Sequence, residues 1–161
     1  MGCSDSKVSK GQPLGRLTYF DIYGRGEMVR MLLNHAGVTF VDHRITKDEW
    51  LNELKPKFPP GGLPCWEEDG WQMNETNALM RYLGKRFGFH SQEPRKAQEI
   101  DAAFDLVYAN YFGRAREVEV AREMSRKLGD MLLKHRQKFL CGPKVTTVDF
   151  LVASIAFSSW R

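Results

Sequence analysis

The 161-residue chain has only three cysteines, Cys3, Cys65 and Cys141, far apart and with no CxxC pair among them. That spacing excludes a disulfide framework, argues against a structural metal, and suits a reducing compartment such as the cytoplasm. The four histidines, His35, His43, His90 and His135, show no ligand spacing, so no metal is expected. No apolar run approaches the roughly 18 residues of a membrane-spanning helix, and the first residues lack the apolar core of a secretory signal. Phosphate loop, zinc motif and serine-hydrolase elbow are all missing. Charge of one sign is scarce too: the net charge is +4, with basic residues scattered among nearly as many acids. The pattern is that of solvated helix faces rather than a nucleic-acid footprint.

What is present is enough apolar residue, 42% of the chain, to build a core for one domain or two small ones. The first dozen residues, MGCSDSKVSKGQ, are polar. They match the Met-Gly-x-x-x-Ser acyl-transfer pattern through Gly2 and Ser6. Cys3 offers a palmitoylation site, and Lys7 and Lys10 add charge, which together supply the second signal that stable anchoring needs. A plain polar terminus that begins Met-Gly by chance is the alternative.

Arg16 to Tyr23 predicts a strand, and Gly24-Arg25-Gly26 a turn into a helix with Met28, Met31, Leu32 and Ala36 on its apolar face. Thr39 to Ile45 predicts a second strand, and Lys47 to Lys57 a short helix carrying Trp50 and Leu54. Pro59 to Gly62 break the chain. Leu63 to Glu68, a turn at Glu68-Asp69-Gly70, and Trp71 to Met73 then read as a hairpin. Glu75-Thr76-Asn77 start a helix with Ala78, Leu79, Tyr82 and Leu83 as its buried stripe. This order of elements is thioredoxin-like. Thioredoxins carry a reactive cysteine pair at the first strand-to-helix turn, where this chain has Gly-Arg-Gly, so that disulfide chemistry is excluded.

Two features of the hairpin region carry function. A proline opening a strand after a glycine-rich loop predicts a cis Leu63-Pro64 bond, which would turn the Leu63 amide and carbonyl outward to pair with an extended peptide. The helix start at Glu75-Thr76 favours a carboxylate. An ordinary edge proline and an ordinary helix cap would give the same spacing.

After Phe89 to Pro94, read as a linker, the chain is helical over Arg95 to Arg116 and Glu117 to Lys138. Cys141-Gly142-Pro143 breaks it. Thr146-Thr147-Val148-Asp149 then forms a capping box, flanked by Val145 and Phe150 as a hydrophobic staple. Leu151 to Trp160 is apolar on nearly all sides and would need covering.

LPCWEEDGWQMNETNALMRYLGK resembles the cis-proline and helix-start segment of glutathione S-transferases. LTYFDIYGRGEMVRMLLNHAGV, with Gly-Arg-Gly-Glu and a following helix arginine, is similar to the sigma class, which includes the prostaglandin D synthase type. The Thr146 to Asp149 box resembles the capping motif of that family's second domain. The resemblance implies a flexible tail over 1–13, a thioredoxin-like glutathione-binding domain over 14–88, a linker over 89–94, and a helical domain over 95–161 that is shorter than the family norm.

It also implies an enzyme that conjugates the glutathione thiolate to small electrophiles, glutathione being the co-substrate. Tyr19 would donate a hydrogen bond to the sulfur, which favours the charged form of a thiol, and Arg25 would add positive field. Trp50 would pack on the glycyl end and Lys55 pair its carboxylate. Leu63, held by Pro64, would pair with the cysteinyl unit. Thr76 would hold the γ-glutamyl carboxylate and Glu75 the α-amino group. Glu75 and Thr76 stand where sigma relatives carry Gln-Ser, and Ala109 where they carry an aspartate that reaches the partner subunit's glutathione. A homodimer is the family's arrangement. A non-catalytic, membrane-tethered glutathione-binding module and a folding-defective fragment are the competing readings.

Overall fold

In the computed structural model the described residues are 12–114, 118–135 and 138–158. Gly2 and Cys3 lie outside them. Strand β1 (Arg16–Phe20) runs parallel to β2 (Val41–Ile45) and antiparallel to β3 (Cys65–Glu68), which pairs antiparallel with β4 (Trp71–Met73). The sheet order β2-β1-β3-β4 makes β1 an interior strand. Leu17, Thr18 and Tyr19 are therefore all buried in succession, where a half-exposed strand would alternate. The strand ends at Phe20, and Tyr23 is the cap of the next helix rather than a strand residue.

Helix α1 (Gly24–His35) buries Met28, Val29, Leu32 and Leu33. It also buries Arg30, which an amphipathic reading puts in solvent. Its guanidinium donates to Asp42 at 3.0 Å, to the Ile22 carbonyl at 3.0 Å and to the Phe20 carbonyl at 3.3 Å, which satisfies a charge only 3% exposed. The Lys47 to Lys57 segment is not one helix. A single α-turn, α2 (Lys47–Glu49), capped reciprocally by Thr46, passes into a π-turn over Trp50–Leu54 and a 3-10 turn over Lys55–Lys57.

Helix α3 (Thr76–Phe87) buries Leu79 and Leu83 as expected. Met80 and Gly84 complete its inner face, whereas Ala78 is exposed and Tyr82 half-buried. Between β3 and α3, Trp66 Nε1 donates to Glu68 at 2.9 Å, and the same buried carboxylate takes the Tyr82 hydroxyl and the Arg86 guanidinium.

Helices α4 (Pro94–Arg114), α5 (Val118–His135) and α6 (Thr147–Ser158) follow. Helix α6 packs on α1 and on α4, so Val148, Phe150 and Leu151 join Met28, Leu32, Ile100, Phe104 and Val107 in one continuous core. Its start is held as the sequence predicts. The Asp149 carboxylate accepts from the Thr146 amide and hydroxyl at 2.8 Å each, and from the Leu140 amide at 3.0 Å. Phe157 remains 59% exposed at the far end of α6. The fold is a thioredoxin-like sheet and helix unit followed by helices, as expected.

Candidate active site

Tyr19, the last but one residue of β1, lies against the start of α1. Its ring touches Gly26 so closely that a Cβ there would lie 2.4 Å from Cδ1, and its hydroxyl would lie 2.8 Å from a Cβ on Gly24. Two glycines in three residues thus let the helix start descend onto the tyrosine. The Arg25 backbone N–H donates to the Tyr19 hydroxyl at 3.1 Å. With a lone pair so engaged, the phenolic hydrogen is free to point at an incoming group. Burial pushes the Tyr19 hydroxyl's pKa up, against the opposing pull of the Arg25 amide and the Arg25 and Arg30 charges. The group is therefore a protonated donor at neutral pH.

Trp50 from the π-turn, Lys55 from the 3-10 turn and Leu63 from the loop before β3 line one cavity of about 540 Å³ together with Phe20, Phe58 and the Pro59 to Gly62 loop. Lys55 is the charged side chain in that lining. The Trp50 ring stands edge-on to Phe58 (5.3 Å between centroids) and to Phe20 (6.5 Å). Phe20 and Phe58 were not anticipated. Phe58 was visible only as the residue before two prolines, and Phe20 as the strand neighbour of Tyr19.

The Leu63-Pro64 bond is cis, with Pro64 buried and Leu63 just outside the β1–β3 ladder, whose last pair is Thr18 with Cys65. Glu75 has φ +61°, a conformation that costs a non-glycine residue roughly 1–3 kcal/mol and concentrates at ligand sites. It places the carboxylate against the cavity loop, where a Cβ on Gly61 would be 2.4 Å from Oε1. Thr76 is buried as the first residue of α3. Asn74, which sequence reading missed, clamps the same loop by donating to the Pro59 carbonyl at 3.3 Å and to the Pro60 carbonyl.

Trp50, Lys55 and Leu63 thus share one groove wall, and the Glu75 carboxylate lies against its loop at Gly61. Tyr19 sits beside it, next to Phe20, and is not part of the cavity lining. The Arg25 side chain turns away to helix α4, its guanidinium 5.7 Å from the Tyr108 ring centroid and 5.3 Å from that of Phe112. Burial pushes the Cys65 and Cys141 thiols up to about 11, so neither is a nucleophile at neutral pH. Among the described residues no cluster of three or more metal-ligating side chains forms. None of the described helices is long and apolar enough to cross a membrane.

A four-stranded sheet with a cis-proline at the β3 entry, helix starts beside it and a helical unit behind it defines a thioredoxin-like protein without the thioredoxin cysteines. The glutathione S-transferase N-terminal domain matches residues 26–95. Glutathione S-transferase 1 of Ascaris suum is 33% identical over 170 aligned positions, covering 92% of this chain and 81% of the relative. The crystal structure of the glutathione S-transferase from Ascaris lumbricoides superposes with a TM-score of 0.81 at 30% identity, over 92% of this chain and 81% of that one. Hematopoietic prostaglandin D synthase of Gallus gallus is 36% identical over 95 positions, 59% of this chain and 47% of the relative. The chain belongs to the glutathione S-transferase family.

Proposed function

We propose that the chain binds glutathione along the Trp50, Lys55, Leu63 and Glu75 wall and transfers its thiolate to small electrophiles. The observation that carries this is the Tyr19 hydroxyl, buried at the α1 start and already accepting the Arg25 N–H, which leaves its proton for a sulfur. Such a charge-assisted bond is worth about 1.5–3 kcal/mol, or about one to two pKa units on the thiol.

Trp50 supplies an apolar face for the glycyl end and Lys55 a charge for its carboxylate. Leu63, oriented by cis Pro64, offers its backbone to the cysteinyl unit. Thr76, at the positive end of α3, receives the γ-glutamyl carboxylate, and Glu75 the α-amino group. Arg25 assists through its amide on Tyr19 and through its charge.

A titration of the thiolate absorbance of bound glutathione tests the reading. The native chain should lower the thiol pKa, and Tyr19→Phe should return it by one to two units. Binding with an unshifted pKa would end the catalytic proposal.

The proposal extends to sigma-like affiliation, a homodimer, and prostaglandin isomerisation as one isomerase activity of that class. Sedimentation and turnover of the endoperoxide test the last two. Acylation at Gly2 and Cys3, with attachment at the cytoplasmic face of a membrane, is also proposed. The mass of the N-terminal peptide from acylating cells checks it, an unmodified peptide ending the idea.

A further inference from the structure

Between Phe89 and the loop that precedes α6 lies another cavity, of about 340 Å³, which shares no lining residue with the groove along Trp50 and Leu63. Phe89, Ile100 of α4, and Cys141 and Val145 of the loop give it apolar walls. Lys96 and Lys144 line it too, and a lysine lays its methylene stem along such a wall while its ammonium stays in water. Lys96 is paired with Glu99 at 2.6 Å, whereas among the described residues no carboxylate pairs with the exposed Lys144. An apolar cavity of about 150 Å³ takes the six carbons of benzene, so by the same ratio this one takes roughly fourteen.

The start of the described chain is close by. The Leu14 N–H donates to the Thr39 carbonyl at 2.8 Å. Thr39 stands four residues after the end of α1 at His35, and the His35 ring meets the Phe89 ring edge-on at 5.4 Å between centroids. At most about 14 Å of chain and one ring contact therefore separate Thr39 from the cavity wall. Residues 2–13, fully extended, span about 40 Å, so Gly2 is within reach of the cavity mouth. Asp5, three residues after Gly2, is the one carboxylate ahead of Gln12.

We propose that this cavity houses the chain's own N-terminal acyl group. The saturated chain on Gly2 lies against Phe89, Ile100 and Val145, and Asp5 pairs with Lys144 at the mouth. This rests on the reading that Gly2 is acylated. Burial of methylenes drives both this docking and insertion into a bilayer, so the cavity and the membrane compete for one acyl group. With the cavity filled, the chain stands free of the membrane. A second acyl chain on Cys3 finds no room beside the first, and it tips the balance towards the bilayer.

The test uses the full chain co-expressed with an N-myristoyltransferase, and neutral phosphatidylcholine vesicles, so that the acyl group alone acts. A freely exposed myristoyl chain partitions with a constant of about 10⁴ M⁻¹. If the cavity holds it nine-tenths of the time, the acylated native chain should bind vesicles about tenfold more weakly than that. Val145→Trp fills the cavity and should recover the full partitioning. Lys144→Glu, an exposed change, should strengthen vesicle binding about threefold by losing the Asp5 pair, and it decides the matter if Val145→Trp does not fold. A ¹³C-labelled acyl group should show nuclear Overhauser contacts to the Ile100 and Val145 methyls in the native chain. Vesicle binding equal in the native chain and the folded variants, without those contacts, would overturn the inference. An N-terminal peptide of unmodified mass would overturn the acylation reading itself, and this inference with it.

Discussion

Replacing Asp149 with alanine should cost about 3 kcal/mol of stability. The carboxylate receives the amides of Leu140 and Thr146 and the Thr146 hydroxyl, at 2.8 to 3.0 Å, and both residues are less than a tenth exposed. Loss of a helix-start cap costs about 1 kcal/mol. Each buried amide left without an acceptor costs about 1–3 kcal/mol more. The lower end applies to Thr146, because it lines a cavity of about 340 Å³ through which water reaches it. At roughly 2–4 °C per kcal/mol for a chain of this size, the midpoint should fall by about 6–12 °C. Urea and thermal unfolding followed by circular dichroism read it directly. Asp149→Asn keeps one acceptor and should lose about half as much. A loss below about 1 kcal/mol in the alanine variant would refute the claim that this carboxylate ties the Leu140 loop to α6.

Gly26→Ala gains about 1 kcal/mol of helix propensity but sets a methyl 2.4 Å from the Tyr19 ring. Denaturant unfolding should show a net loss of about 1–3 kcal/mol, and a net gain would show that the ring yields. Burial alone would push the Asp101 carboxyl up, but hydrogen bonds from Arg81 at 2.5 Å and from His90 at 3.1 Å outweigh it and hold the carboxyl below its usual range. A depressed carboxyl stabilises the fold fully above its unfolded pKa of about 3.9, and that contribution drains away as pH falls through the folded value. Unfolding free energy measured across the acid range should fall more gently in Asp101→Asn than in the native chain. Parallel curves would remove Asp101 from the acid response.

Much of the fold was legible because its signals are local. The proline after a glycine loop, the Asp69-Gly70 turn and the Thr146 to Asp149 cap each depend on neighbouring residues, and each appears where the sequence puts it. The segment from Lys47 to Lys57 was not legible. Its residues favour a helix, but Pro56 and the packing of Trp50 between Phe20 and Phe58 draw it into π and 3-10 turns. Buried Arg30 was equally hidden, since its acceptors come from the β1 end and from β2. At the site, resemblance singled out Trp50, Lys55 and Leu63, which share one cavity lining, but gave no signal for Phe20 and Phe58. The direction of the Arg25 side chain could not be read, because only the fold brings α4 to it.

The pairing of α1 with α6 has a consequence for how the chain is made. Helix α1 leaves the ribosome early, yet the helix that covers its outer face begins only at Thr147. At roughly 5–20 residues per second of synthesis, that face waits on the order of ten seconds for its cover. Until then the α1 face that α6 will cover stays open, and α6 is fixed where its Thr147 amide donates to the Phe89 carbonyl at 3.0 Å.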